Sequence, residues 1–233
     1  MGRPSVEEYP QARFVRPPGA TELLLVRHGE SAPARADRPF PLVGGQGDPD
    51  LAPTGREQAA RVADRLAGEG LDAVYVTTLR RTLQTAQPLV DRLGVVPRVE
   101  PDLREVHLGE WEGGVLRRRV AEADPLAERM FAEQRWDVIP GAERSEAFSR
   151  RVRAGVERVA GAHPDQRVVV FTHGGTIGQI LSLATGAARF AFIGADNGSI
   201  SHLVVAGRRW LVRRYNDTAH LAAGFTLNPA PLT

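Results

Sequence analysis

Two histidines in this chain share one local setting. His28 follows Leu23-Leu24-Leu25-Val26-Arg27 and precedes Gly29, while His173 follows Val168-Val169-Val170-Phe171-Thr172 and precedes Gly174-Gly175. Each apolar run lacks polar alternation, as expected of a short strand buried on both faces. A third run, Ala73 to Val76, ends at Thr77-Thr78-Leu79-Arg80-Arg81. Parallel sheets put their active sites at the carboxyl ends of strands. If these strands are neighbours, His28, His173, Arg27 and an arginine of the Arg80-Arg81 pair meet at one rim. Such a set makes a poor metal site, because guanidinium repels a cation and no third ligand is evident. It suits a dianion, to which arginine offers a planar, permanently charged fork of donors. Glycine after each histidine lets backbone approach closely. A helix starting just after His173 would aim its N–H groups at the same ligand. Phosphate is the expected ligand.

The elements that must hold these residues alternate along the chain. Glu22–Val26, Ala73–Val76 and Arg167–Phe171 read as strands, and Ser199–Val205 with Trp210–Tyr215 reads as a hairpin around Gly207. Between them lie amphipathic patterns: Ala59, Val62, Ala63 and Leu66; Leu83, Ala86, Val90 and Leu93; Phe148, Val152, Val156 and Val159; and the small, apolar stretch Ile177–Ala184. Thr54-Gly55-Arg56-Glu57 has the form of a capping box with Thr54 at the N-cap. Pro88 should kink or interrupt the second helix. Ala32–Pro53 is too long for a turn and reads as a functional loop, and residues 115–135 read as a helical excursion over the site. This order predicts an α/β fold: a single three-layer α/β/α sandwich around a mostly parallel, mixed sheet. The domain is expected over residues 21–217, with a flexible arm at 1–20 and a tail at 218–233.

Composition narrows the function classes. With 233 residues, of which 42% are hydrophobic and 25% charged, the chain sits near the globular average. The 30 basic residues are all arginine and stand against 28 acidic ones, a formal net charge of +2. The acidic residues are interspersed among the arginines rather than set apart, which argues against nucleic acid as a partner. There is no cysteine, so disulfides, thiolate metal sites and cysteine nucleophiles are excluded. No apolar run reaches the roughly 18–20 residues that span a bilayer, and the N-terminal stretch lacks the apolar centre of a signal peptide. A cytoplasmic protein with no membrane partner is expected.

Leu25-Val26-Arg27-His28-Gly29-Glu30-Ser31 resembles the Arg-His-Gly signature of the histidine phosphatase (phosphoglycerate mutase-like) superfamily. Leu79-Arg80-Arg81-Thr82-Leu83-Gln84-Thr85-Ala86 is similar to that family's second-arginine helix. Counting back from Gln84 puts Arg81 rather than Arg80 in the functional place. Leu103-Arg104-Glu105 with Gly109-Glu110-Trp111-Glu112-Gly113 resembles its acid loop, and Thr172-His173-Gly174-Gly175 its second-histidine motif. Pro140-Gly141-Ala142-Glu143 and Asn197-Gly198-Ser199-Ile200 resemble two further segments, all in family order. The resemblance implies a phosphoglycerate mutase-like fold and a metal-independent phosphatase with no cofactor. It implies His28 as nucleophile through a phosphohistidine, and Arg27, Arg81, His173 and the Gly174 backbone on the phosphate. Glu105 is implied as proton donor, held protonated by burial or by a neighbouring carboxylate such as Glu112. The implied partner is a small phosphorylated substrate, and a homodimer is compatible with the sequence.

Ala34 stands where many members of that family carry a phosphate-binding Asn, so Ser31 or a residue of the loop to Gly47 is the expected substitute. Arg117-Arg118-Arg119 reads as a solvated face that could also receive an acidic substrate. Glu143 reads equally as a helix cap or a site residue, Asn197-Gly198 equally as a turn or a phosphate contact, and Trp111 as packing. His107, His163, His202 and His220 read as bystanders. One alternative function is a phosphoglycerate mutase, which returns the phosphate to a bound product. The mutases of the family carry a longer insert after the acid loop, whereas only 34 residues (Val106 to Ile139) separate Glu105 from Pro140. The other alternative is an inactive relative that binds a phosphorylated partner.

Overall fold

The computed structural model describes residues 9–221. From the N-terminus come strand β1 (Thr21–Arg27), the small hairpin β2 (Leu42–Val43) and β3 (Gln46–Gly47), helix α1 (Pro53–Leu66), β4 (Ala73–Val76), α2 (Arg80–Leu93) and β5 (Arg98–Val99). Two short helices follow, α3 (Val115–Ala121) and α4 (Pro125–Glu133), then the long α5 (Ser145–Gly161). Strand β6 (Arg167–Thr172), helix α6 (Gly174–Thr185) and the hairpin β7 (Ile200–Ala206) and β8 (Arg209–Asp217) close the fold. Of the proposed arm, residues 1–8 lie outside the described residues, as do residues 222–233 of the proposed tail.

The main sheet has six strands in the order β5-β4-β6-β1-β7-β8. The first four run parallel, and β7 and β8 are antiparallel additions at the edge. The central strands are buried on both faces, which explains why they read as unbroken apolar runs. Leu23 and Leu25 of β1, with Val168 and Val170 of β6, pack toward α5 and α6; Leu24, Val26, Val169 and Phe171 pack toward α1 and α2. The period of two along a strand thus fills two separate cores. Register does the functional work. Arg27 lies beside Thr172, so the next residue on each strand is a histidine, and the His28 N–H donates to the Thr172 carbonyl at 3.0 Å.

The start of α1 differs from the expectation. Helix α1 begins at Pro53 with Ala52 at the N-cap, and Thr54 makes no capping bond. Pro53 starts the helix two residues earlier, at a position where its missing N–H costs nothing. Pro88 lies inside α2 without ending it. Ala86, Leu89 and Val90 around it are buried in the core between helix and sheet, and their burial outweighs the lost backbone bond. The excursion at 115–135 consists of two helices, α3 and α4.

Candidate active site

One cavity opens at the carboxyl ends of β1, β4 and β6, and Arg27, His28, Arg81, Glu105, Gly174 and Arg117 all line it. His28 is 5% exposed, and its Nδ1 lies 2.8 Å from the Gly29 carbonyl oxygen. A carbonyl only accepts, so Nδ1 carries the hydrogen and Nε2 keeps its lone pair. The ring of His173 stands edge-on to it, centroids 5.2 Å apart. His173 is wholly buried behind His28, with Nε2 2.9 Å from the Thr77 hydroxyl and Nδ1 without a hydrogen-bond partner.

Burial pushes the pKa of both histidines well below the usual imidazole range, and the charges of Arg81 and Arg27 push the same way. Both rings are therefore neutral at neutral pH. Burial likewise lowers the Arg81 guanidinium to about 10, against the opposing pull of Glu105 and Asp48, so it remains charged at neutral pH. Arg81 is buried and donates to the Gly47 carbonyl at 2.9 Å. Arg80 instead turns outward, and its half-exposed side chain pairs with Asp48 at 2.8 Å. Arg81, not Arg80, thus lines the cavity.

Helix α6 starts where the cavity needs donors. A Cβ at Gly174 would sit 3.3 Å from Arg27 Nε, and one at Gly175 only 2.6 Å from Glu105 Oε1. Glycine at both places lets the guanidinium and the carboxylate lie against the helix start. Glu105 accepts from the Gly175 N–H and the Val106 N–H, both at 3.0 Å, and from the Thr176 hydroxyl at 3.3 Å. Glu112 also lines the cavity, but both its oxygens are occupied, by the N–H of Leu108 at 2.8 Å and of Gly47 at 2.7 Å.

Several further residues support this geometry, and sequence patterns gave no sign of the parts played by Arg151, Gln46 and Asp48. Arg151 of α5 donates to the carbonyls of Asp102, Arg104 and Glu105, each at 2.8 Å, and is paired with Glu143 at 2.7 Å. Glu143 is therefore neither helix cap nor cavity residue; it holds the arginine that holds the acid loop. Gln46 donates to the Glu105 carbonyl at 2.7 Å, and Asp48 accepts from the Arg80 N–H at the start of α2. The Thr172 hydroxyl donates to the Leu103 carbonyl at 2.6 Å, tying β6 to the same loop. Asn197-Gly198 forms a turn that donates to the His28 and Arg27 carbonyls, outside the cavity wall. Trp111 is 6% exposed, packs in the core and also lines the cavity.

Ser31 is buried and does not line the cavity; its hydroxyl accepts from Arg117 at 2.6 Å. The loop to Gly47 adds Gln46 and Gly47 to the cavity wall. Of the Arg117-Arg118-Arg119 run, Arg118 is exposed as expected of a solvated face, whereas Arg117 turns inward. Among the described residues no cluster of His, Cys, Asp or Glu could hold a metal ion, and no helix is long and apolar enough to cross a membrane. His163, His202 and His220 lie away from the cavity, and His107 accepts from the Gly109 N–H within its own loop.

Residues 23–218 match the model of the histidine phosphatase superfamily (branch 1). The chain belongs to that superfamily. It is 33% identical to phosphoglycerate mutase-like protein 4 of Arabidopsis thaliana, over 86% of each chain. With the metal-independent phosphoserine phosphatase of the same plant it shares 32% identity, over 87% of this chain and 84% of the relative. Among solved structures, a mycobacterial glucosyl-3-phosphoglycerate phosphatase complexed with inorganic phosphate superposes with a TM-score of 0.70 at 28% identity. That match covers 86% of this chain and 99% of the other. Family and fold thus agree with the resemblance of the motifs, and phosphatases stand among the similar proteins.

Proposed function

We propose that this histidine phosphatase hydrolyses small phosphomonoesters without a metal, through a phosphohistidine on His28. The observation that carries the reading is the neutral His28 ring, its Nδ1 hydrogen spent on Gly29, in a cavity wall with three arginines and Glu105. In the first step the Nε2 lone pair forms a P–N bond as the P–O bond to the leaving group breaks. Glu105 supplies the proton that the leaving alkoxide takes. Arg27, Arg81 and the Gly174 N–H at the start of α6 stabilise charge on the transferring phosphoryl oxygens, with His173 behind them. Water then attacks phosphorus, Glu105 takes its proton, and the P–N bond breaks to release phosphate and restore His28.

The relatives named as phosphoserine and glucosyl-3-phosphoglycerate phosphatases support hydrolysis rather than return of the phosphate to a product. A small phosphorylated metabolite as partner, a cytoplasmic location and a homodimeric state belong to the same proposal. Hydrolysis of p-nitrophenyl phosphate and of phosphoserine in excess EDTA, with His28→Ala as control, tests it. The proposal expects turnover that ignores EDTA and vanishes in His28→Ala. Activity that EDTA abolishes, or that survives His28→Ala, would overturn it.

A further inference from the structure

Arg117 has no role in the scheme above, yet its setting is unusual for an arginine. It lies on α3, half-buried, in the wall of the cavity that His28 lines. Among the described residues no carboxylate lies within ion-pair distance of it, although Arg118 and Arg119 beside it both have acidic partners. Its guanidinium instead donates to the Ala32 carbonyl at 2.9 Å and the Ser31 hydroxyl at 2.6 Å, and stacks over the Phe40 ring at 5.4 Å. Those anchors lie on the loop that leaves the nucleophile, three and four residues beyond His28. Burial lowers the Arg117 pKa, and so does the charge of Arg27.

Charge accounting then points to a ligand. The cavity wall holds three guanidinium groups, those of Arg27, Arg81 and Arg117, and two carboxylates, those of Glu105 and Glu112. Neither carboxylate is within ion-pair distance of any of the three; among the described residues the only such contact is Arg81 to Asp48, at 3.9 Å. Three partly or fully buried cations so poorly paired are costly unless an anion completes them. The local backbone is also shaped to bring Arg117 in. A Cβ at Gly114, which precedes α3 with φ +99°, would come 2.9 Å from the Ala34 methyl and 3.0 Å from the Phe40 ring. A small residue at 34 and glycine at 114 thus let the start of α3 close onto the nucleophile loop.

We propose that Arg117 is a third phosphate-binding arginine, acting on the phosphoryl group itself, with Ser31 as its positioning residue. This deepens the proposed function and rests on it for catalysis, although phosphate binding is measurable without turnover. The Ser31 hydroxyl accepts from Arg117 and so orients the fork, which explains its burial behind the cavity rather than in its wall.

The test compares Arg117→Gln, Arg117→Lys and Ser31→Ala with the wild type. Probes are inorganic phosphate in a calorimetric titration, and p-nitrophenyl phosphate and phosphoserine as substrates. Removing a charge-assisted pair of hydrogen bonds from a buried anion should weaken phosphate binding by about 10- to 100-fold in Arg117→Gln. The loss in kcat/KM should match for the two substrates, because they share only the phosphoryl group. Arg117→Lys should recover part of both losses, and Ser31→Ala should show a smaller loss in the same direction. A wild-type protein that binds phosphate through Arg117 but turns nothing over would refute the proposed function and leave this assignment standing. Unchanged phosphate affinity in a folded Arg117→Gln would overturn the assignment, and so would a kcat/KM loss confined to phosphoserine. The latter would place Arg117 on the carboxylate of the leaving group.

Discussion

Adding one methyl group at Gly175 should separate the proton-donor role of Glu105 from every other part of the site. A Cβ there would lie 2.6 Å from Glu105 Oε1, so the carboxylate must retreat about 0.8 Å to reach an ordinary contact of 3.4 Å. The movement breaks or stretches the Gly175 N–H bond to Oε2, now 3.0 Å. Gly175 lies in the first turn of α6 with an ordinary helical backbone, so the helix gain from alanine offsets the cost of the disturbed bond and stability should change by less than about 1 kcal/mol. A general acid contributes about 10²- to 10⁴-fold, and a misplacement of about 1 Å can cost about 100-fold. Phosphoserine, whose alkoxide needs the proton, should therefore lose about 100-fold in kcat. With p-nitrophenyl phosphate, whose acidic phenol can leave unprotonated, phosphohistidine formation should fall by less than about tenfold. Rapid-quench measurement of the first turnover on both substrates, beside a thermal melt, is the assay. Equal losses on the two substrates, or none on either, would refute the assignment of Glu105 as the proton donor.

Two further outcomes follow from the same geometry. His28 and His173 have pKa values depressed in the fold, so the unfolded chain binds more protons below about pH 6.5. Their stability contribution is complete above that pH and is lost as pH falls through the folded values; melts in phosphate-free buffer should show Tm dropping on acidification. A Tm that rises between pH 6.5 and 5 would contradict the neutral-histidine assignment. Arg151→Met removes the donor to three acid-loop carbonyls and leaves Glu143 without its partner, which should cost about 2–4 kcal/mol in urea unfolding. A change below about 0.5 kcal/mol would show that the acid loop is held by other means.

The sheet was legible in the sequence because its central strands bury both faces, and such strands leave unbroken apolar runs such as Leu23–Val26 and Val168–Phe171. The two histidines were legible because each run ends in one, and parallel register sets the ends side by side. What remained hidden was set by contacts distant in sequence. Arg151 reaches carbonyls 46 to 49 residues away, and nothing in the pattern of α5 marks it among its neighbouring arginines. Arg117 and Arg118 are adjacent in a charge run, and Arg117 is the one that lines the cavity, next to the close packing of Gly114 on Ala34 and Phe40, residues 74 to 80 positions away in sequence. At Thr54 the capping pattern was present, but Pro53 had already started the helix.

Phosphorylation of His28 is the central step of the proposed mechanism. Mixing the protein with ³²P-labelled substrate, quenching in base within milliseconds and mapping the label by mass spectrometry tests this directly. The prediction is a base-stable, acid-labile phosphate on His28 that disappears as substrate is exhausted and is absent from His28→Ala. Label on His173 or Ser31 instead, or turnover with no protein-bound phosphate at any time, would contradict it.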